Sequence, residues 1–246
     1  MTRFLQALAF LTVLPIPRAR VVAQAPEPWA AAWFPAVGAA LGAGLLGFHT
    51  VLVGVFPALV AAALTLAVWL GMTGCLHMDG LMDSADALLG HRTPEDRLRI
   101  LKDPAVGAFG VAAGCIVLLV KAGALASLSR HSRIALLIAP ILARWSVLVT
   151  MMTFRYHQRP ERTTGSTLTA RLGVRQLAVA TILPLLVALL IGPLALGGLV
   201  LAGPVALAIG AFASRRIPAL TGDIYGLVIE IVEAMTLCLF STSFAS

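Results

Sequence analysis

Acidic side chains are scarce in this chain, with only eleven Asp and Glu in 246 residues against eighteen Lys and Arg. Charged residues make up 12% of the total, 59% of residues are hydrophobic, and the mean hydropathy is +0.95. So little polar surface cannot cover a water-soluble globule, which excludes an ordinary soluble domain. Cys75, Cys115 and Cys238 stand apart in apolar surroundings. Without a CxxC pair they form neither a disulfide framework nor a thiolate metal site, and they read as buried, inert thiols. There is no Walker A glycine loop and no paired metal-binding histidine motif. No internal repeat or low-complexity tail is evident, so residues 1–246 read as one integral membrane domain.

What the chain has in abundance is long apolar runs. About 20 apolar residues cross the hydrocarbon of a bilayer as a helix, and runs of that kind fall near 33–53, 57–77, 106–128, 134–153, 174–193, 195–213 and 222–243. The expected fold is therefore all-α, a polytopic bundle of about seven spans, which is compatible with a homo-oligomer. The stretch Phe4 to Leu14 is too short to span and ends at Pro15 and Pro17, so it reads as an interfacial or re-entrant helix. Ala23-Gln24-Ala25 mimics a signal-peptide cleavage site, but the basic, proline-broken gap before it speaks against one. A net charge of +7 suggests nucleic acid only until the charges are located. Arg3, Arg18, Arg20, then Arg92, Arg97, Arg99, Lys102, then Arg155, Arg159, Arg162, Arg171, Arg175, and finally Arg215 and Arg216 occupy alternate loops, while the others carry only Arg130 and Arg133. The positive-inside rule puts the basic loops in the cytoplasm, on the inner face of a cytoplasmic membrane. The bilayer, not nucleic acid, is the partner this pattern implies.

Against this background, three acids at one helix end call for a cause. In His77-Met-Asp-Gly-Leu-Met-Asp-Ser-Ala-Asp86, spacings of four and three bring Asp79, Asp83 and Asp86 onto one helical face, within roughly 60°. Like charges so close repel unless a cation sits among them, which points to a hard divalent metal such as Mg²⁺. A basic segment follows. Thr93 as N-cap and Pro94 at the first helical position predict a short helix over 94–102, with Glu95 pairing to Arg99 and with Arg92, Arg97 and Lys102 left for anionic oxygens. Gly107 and Gly110 at the start of the third apolar run free backbone N–H groups for a phosphate. Asp223, Glu230 and Glu233 share a face of the last run, where intramembrane acids are either functional or paired with Lys121 or Arg144. The polar connections near 78–105 and 154–173 are where cytoplasmic chemistry can sit. Acids that hold Mg²⁺, beside bases that hold phosphate, describe phosphoryl transfer.

These residues resemble a known family. His77 to Asp86, Arg99-Ile-Leu-Lys-Asp-Pro-Ala-Val-Gly-Ala-Phe-Gly110, Thr221-Gly-Asp-Ile-Tyr-Gly226 and the opening Phe10-Leu-Thr-Val-Leu-Pro-Ile-Pro17 are similar, in order, to the cobalamin synthase family of adenosylcobinamide-GDP ribazoletransferases. At Ala87 the family pattern has glycine. The resemblance implies a Mg²⁺-dependent membrane enzyme that joins adenosylcobinamide-GDP to α-ribazole, or to its 5′-phosphate, with release of GMP. It gives Asp79, Asp83, Asp86, Asp223 and Glu230 to the metal. Arg92, Arg97, Lys102, Gly107, Gly110 and Arg144 fall to the substrates, and Asp83 or His77 to the hydroxyl proton. The alternatives are an enzyme like the CDP-alcohol phosphotransferases or the membrane prenyltransferases, or a metal-ion transporter. The first places Ala-Arg where this chain has Asp83-Ser84, the second needs two acid-rich loops, and in the third the basic loops would repel cations.

Overall fold

The structure, a computed structural model, describes residues 2–16, 27–90, 92–101, 103–156 and 172–242. Arg18, Arg20, Lys102, Arg159, Arg162, Arg171 and most of the 154–173 connection lie outside the described residues. The fold is all-α, with secondary structure otherwise limited to an isolated bridge between Tyr156 and Leu220 among the described residues. In chain order the helices are α1 (Thr2–Leu11), α2 (Pro28–Ala31), α3 (Phe34–Leu52), α4 (Ala58–Thr73), α5 (Leu76–Leu88) and α6 (Pro94–Ile100). They are followed by α7 (Ala108–Ala126), a 3₁₀ turn (Ser132–Ile134), α8 (Ala135–Thr153), α9 (Val174–Ile191), α10 (Pro193–Ser214) and α11 (Gly222–Phe240).

Among the described residues, five segments are long and apolar enough to cross a membrane: Trp29–Leu52, Ala108–Ala126, Ser132–Thr153, Val174–Ile191 and Pro193–Ser214. A sixth is reached if α4 and α5 are taken as one broken span. The protein is thus an integral membrane helix bundle, with five or six candidate spans by length and composition among the described residues where the sequence suggests about seven. Two features make the difference. The run 57–77 is bent by 90° between α4 and α5, because Gly74 (φ 59) and Cys75 (φ 57) both take the left-handed conformation and stop α4 at Thr73. The run 222–243 forms α11 as expected, but Asp223, Glu230 and Glu233 load it with charge.

Helices α8 and α11 form the centre. Ile138, Ile141, Leu142 and Leu148 on α8 are fully buried, as are Ile224, Val228, Val232 and Leu237 on α11. Helix α3 closes on α8 through Gly38 and Gly42, where an added Cβ on Gly42 would lie 2.7 Å from the Leu136 carbonyl oxygen. This is the small-residue packing by which membrane helices approach without a hydrophobic driving force. Val111, Ile116 and Leu119 on α7 and Leu186, Leu189 and Leu190 on α9 are exposed, as residues facing hydrocarbon are. Cys75 and Cys115 are exposed too, correcting the expectation of buried thiols: on α7 the apolar surroundings of Cys115 are lipid-facing neighbours. The short N-terminal helix α1 packs on α3, with Phe10 stacked 5.6 Å from Phe34 and the Val13 N–H donating to the Met72 carbonyl at 3.1 Å.

Candidate active site

Helices α5 and α11 cross at two glycines. A Cβ on Gly80 would stand 2.8 Å from the Asp223 carbonyl oxygen, and one on Gly226 would stand 2.8 Å from that of His77. The contact is backbone against backbone on the His77–Gly80 side of α5, so the start of α11 lies beside the acidic face of that helix. Asp79, Asp223 and Asp86 all act electrostatically on the half-buried Asp83, which places the four carboxylates in one field. The Thr221 hydroxyl donates to Asp223 at 3.0 Å. Among the described residues, no three His, Cys, Asp or Glu side chains are arranged to hold a metal ion by themselves.

Asp86 has a definite partner. Its Oδ2 accepts from the Gly107 N–H at 2.7 Å, and a Cβ on Gly107 or Gly110 would run into the carboxylate. The two glycines expected to meet a phosphate instead cradle Asp86, tying the end of α5 to the start of α7. Carboxylate at a helix N-terminus is favoured by the unsatisfied N–H groups there.

Helix α6 begins as its sequence predicts, with Thr93 accepting from the Asp96 N–H at 3.2 Å and Pro94 in the first turn. Arg99 pairs with Asp96 at 2.9 Å rather than with Glu95. Arg97 is buried and donates to the carbonyls of Ala87 (2.5 Å) and Gly90 (2.9 Å), so it clasps the exit of α5. Burial first, and then Arg216 and Arg92, hold its pKa below the ordinary arginine value. Arg92 is exposed. It lines a cleft of about 480 Å³ with Leu88, Leu89, Gly90, Arg97, Phe212 and Arg216. Arg216 is a residue that sequence reasoning treated only as a topology signal; nothing in its local spacing links it to Arg92.

Away from the aspartates lies a second charged group. Lys121 on α7 donates to Glu230 at 2.5 Å and to Glu233 at 2.6 Å, and Glu233 also pairs with Arg144 on α8. Arg144 Nη2 stands 3.5 Å from His77 Nδ1. All five side chains are buried, and Lys121 lies 4.9 Å from the centre of the Trp69 ring. The structure brings Glu230 and Arg144 to this network, joins His77 to it, and leaves Asp79, Asp83, Asp86 and Asp223 in the other group.

A cluster of four carboxylates at a helix crossing, with a guanidinium-lined cleft beyond the end of the same helix, defines a polytopic membrane protein with charged groups gathered along and just beyond α5. The family follows from comparison with known proteins. The family model of cobalamin-5-phosphate synthase matches residues 3–241. An adenosylcobinamide-GDP ribazoletransferase of Brevibacillus brevis is 36% identical over 241 residues, covering 96% of each chain. That of Deinococcus radiodurans is 40% identical over 243 residues, covering 97% of this chain and 85% of its own. The chain belongs to the cobalamin-5-phosphate synthase family. No solved structure matches it.

Proposed function

We propose that this chain carries out the transfer for which its relatives are named, joining adenosylcobinamide-GDP to α-ribazole or its 5′-phosphate and releasing GMP, in assembly of the cobalamin nucleotide loop. The supporting observation is the gathering of Asp79, Asp86 and Asp223 around Asp83 at the Gly80–Gly226 crossing. Hard oxygen donors suit Mg²⁺, which keeps several waters and needs only one or two carboxylates plus substrate phosphates. The arrangement fits that ion without a closed protein cage. Asp79, Asp83 and Asp223 would hold it, and when bound it would neutralise pyrophosphate charge.

In the transfer, a ribose 3′-hydroxyl oxygen bonds to the phosphorus attached to the cobinamide arm. The bond from that phosphorus to the bridging oxygen breaks, and GMP leaves with the bond's electron pair. The hydroxyl proton passes to a carboxylate. Asp83, half-buried and surrounded by like charge, suits that role better than His77, whose Nδ1 faces Arg144 and whose Nε2 is buried without a partner. Asp86 positions the acidic face through Gly107, and Arg97 positions the exit of α5. Glu230 and Arg144 brace the helices rather than touch substrate. The site faces the cytoplasm, where the basic loops lie by the positive-inside rule.

Purified protein in detergent should release GMP from adenosylcobinamide-GDP only when α-ribazole and Mg²⁺ are both present. Release that is indifferent to omission of the nucleoside would refute the transferase reading.

A further inference from the structure

Three guanidinium groups, Arg92, Arg97 and Arg216, meet in the cleft between the end of α5, the start of α6 and the end of α10. None of them has a carboxylate partner among the described residues, whereas the neighbouring Arg99 does. Arg97 is committed to the Ala87 and Gly90 carbonyls, which are neutral. Concentrated positive charge without a counter-ion favours an anion from outside, and guanidinium groups match the geometry of phosphate. Arg92 makes no hydrogen bond or ion pair among the described residues, and of the Arg216 N–H groups only Nη1 is engaged, on the Phe212 carbonyl at 3.2 Å.

The cleft is larger than a phosphate needs. Its 480 Å³ falls in the range of about 300–1,000 Å³ typical of small-molecule sites. It also has a stacking platform, since the Arg216 guanidinium lies 3.6 Å over the ring of the exposed Phe212. Guanidinium planes and aromatic faces are what planar bases stack on. Leu88 and Leu89 complete an apolar wall.

We infer that this cleft binds a nucleoside monophosphate, with Arg92 and Arg216 on the phosphate and the Phe212–Arg216 stack against a bicyclic base. The inference rests on the proposed transfer, which offers two sources of that chemistry: the guanylate half of the donor, released as GMP, and the 5′-phosphate of α-ribazole.

The test is titration of detergent-purified protein with GMP, together with steady-state kinetics, for wild type, Arg216→Ala and, as a control on the adjacent residue outside the cleft, Arg215→Ala. Loss of charge-assisted hydrogen bonds should weaken binding by on the order of tenfold in Arg216→Ala and little in Arg215→Ala. Weaker GMP binding with a raised KM for adenosylcobinamide-GDP assigns the cleft to the guanylate. A raised KM for α-ribazole 5′-phosphate, with that for α-ribazole unchanged, assigns it to the acceptor. Either result supports the site, and Phe212→Leu should then weaken the same nucleotide but not inorganic phosphate. If Arg216→Ala matches wild type in all of these while wild type turns over, the cleft is not a nucleotide site and the transferase reading stands. A defect seen only in liposomes containing phosphatidylglycerol would assign the cleft to a lipid headgroup and overturn the proposal. Absence of turnover in wild type would fail the transferase reading alone, since the titration of the two variants still decides the cleft.

Discussion

Asp83 differs from the other acids in standing at the middle of a like-charged set, acted on by Asp79, Asp223 and Asp86 together. Removing its charge relieves repulsion, so Asp83→Asn should fold at least as well as wild type. Turnover should nevertheless fall by more than about 100-fold, because even outer-shell partners of metal ligands are worth 10–100-fold. GMP release alongside thermal unfolding in detergent measures both, and an Asn variant of full activity would remove Asp83 from the proposed site. The buried network has the opposite character. Lys121 and Arg144 together balance the buried charges of Glu230 and Glu233, so Lys121→Met leaves two acids with only Arg144 between them. Breaking a buried pair in this way costs about 3–5 kcal/mol. Restoring neutrality with Glu230→Gln in the Lys121→Met background should recover much of that loss. If the double variant unfolds at the same temperature as Lys121→Met, the network does not brace the bundle.

At the scale of elements, the site depends on how closely α5 and α11 approach. Gly80→Ala would drive a methyl into the Asp223 backbone at 2.8 Å, and backbone cannot swing away as a side chain can. Activity should fall more than stability, because a displacement of about 1 Å at the crossing moves Asp223 relative to Asp83 and can cost 100-fold. Gly71→Ala on α4, with open space around its Cβ, should behave as wild type in the same GMP-release assay. Equal activity in the two variants would mean that the crossing is not critical. Local signals of this kind divide into those that sequence carries and those it does not. The cap at Thr93 and the shared face of Asp79, Asp83 and Asp86 were legible because each is set within one or two turns of chain. The partner of Arg99 was misread because the capping contact of Thr93 with Asp96 brings that acid, not Glu95, to the arginine. Gly107 and Gly110 look like phosphate ligands in sequence, and only the fold reveals that Asp86 occupies the space above them. Glu230 could be metal ligand or ion-pair partner by sequence; which one depends on where α7 places Lys121, a contact across 109 residues.

For the whole molecule, the contacts among loops bear on orientation independently of any count of spans. The Leu220 N–H donates to the Arg155 carbonyl at 2.9 Å, and Tyr156 stacks on Tyr225 at 5.8 Å, so the connections after α8 and α10 meet. Gly80 joins the same end to α5, Asp86 joins it to the start of α7, and Arg97 and Arg216 share a cleft. The described parts of the connections after α5, α8 and α10, which charge bias alone assigns to the cytoplasm, are therefore gathered on one end of the bundle, although α11 is too charged to count as a span by composition. The Ser132–Ile134 turn, by contrast, packs on α3 and leads into α8 from the other end of that helix. These relations make orientation testable with two sites. In a variant lacking Cys75, Cys115 and Cys238, a cysteine at Arg130 should react with a membrane-impermeant maleimide added to intact cells. A cysteine at Arg215 should react only after the membrane is opened, since exposed Arg215 lies at the end that carries the aspartates. Labelling of both positions from outside would break the alternation of the helices, and labelling of Arg215→Cys alone would turn the aspartate cluster away from the cytoplasm. In that inverted case a bulky, water-soluble corrinoid nucleotide made in the cytoplasm would have to cross hydrocarbon to reach Asp83, so the proposed transfer and the inverted topology cannot both hold.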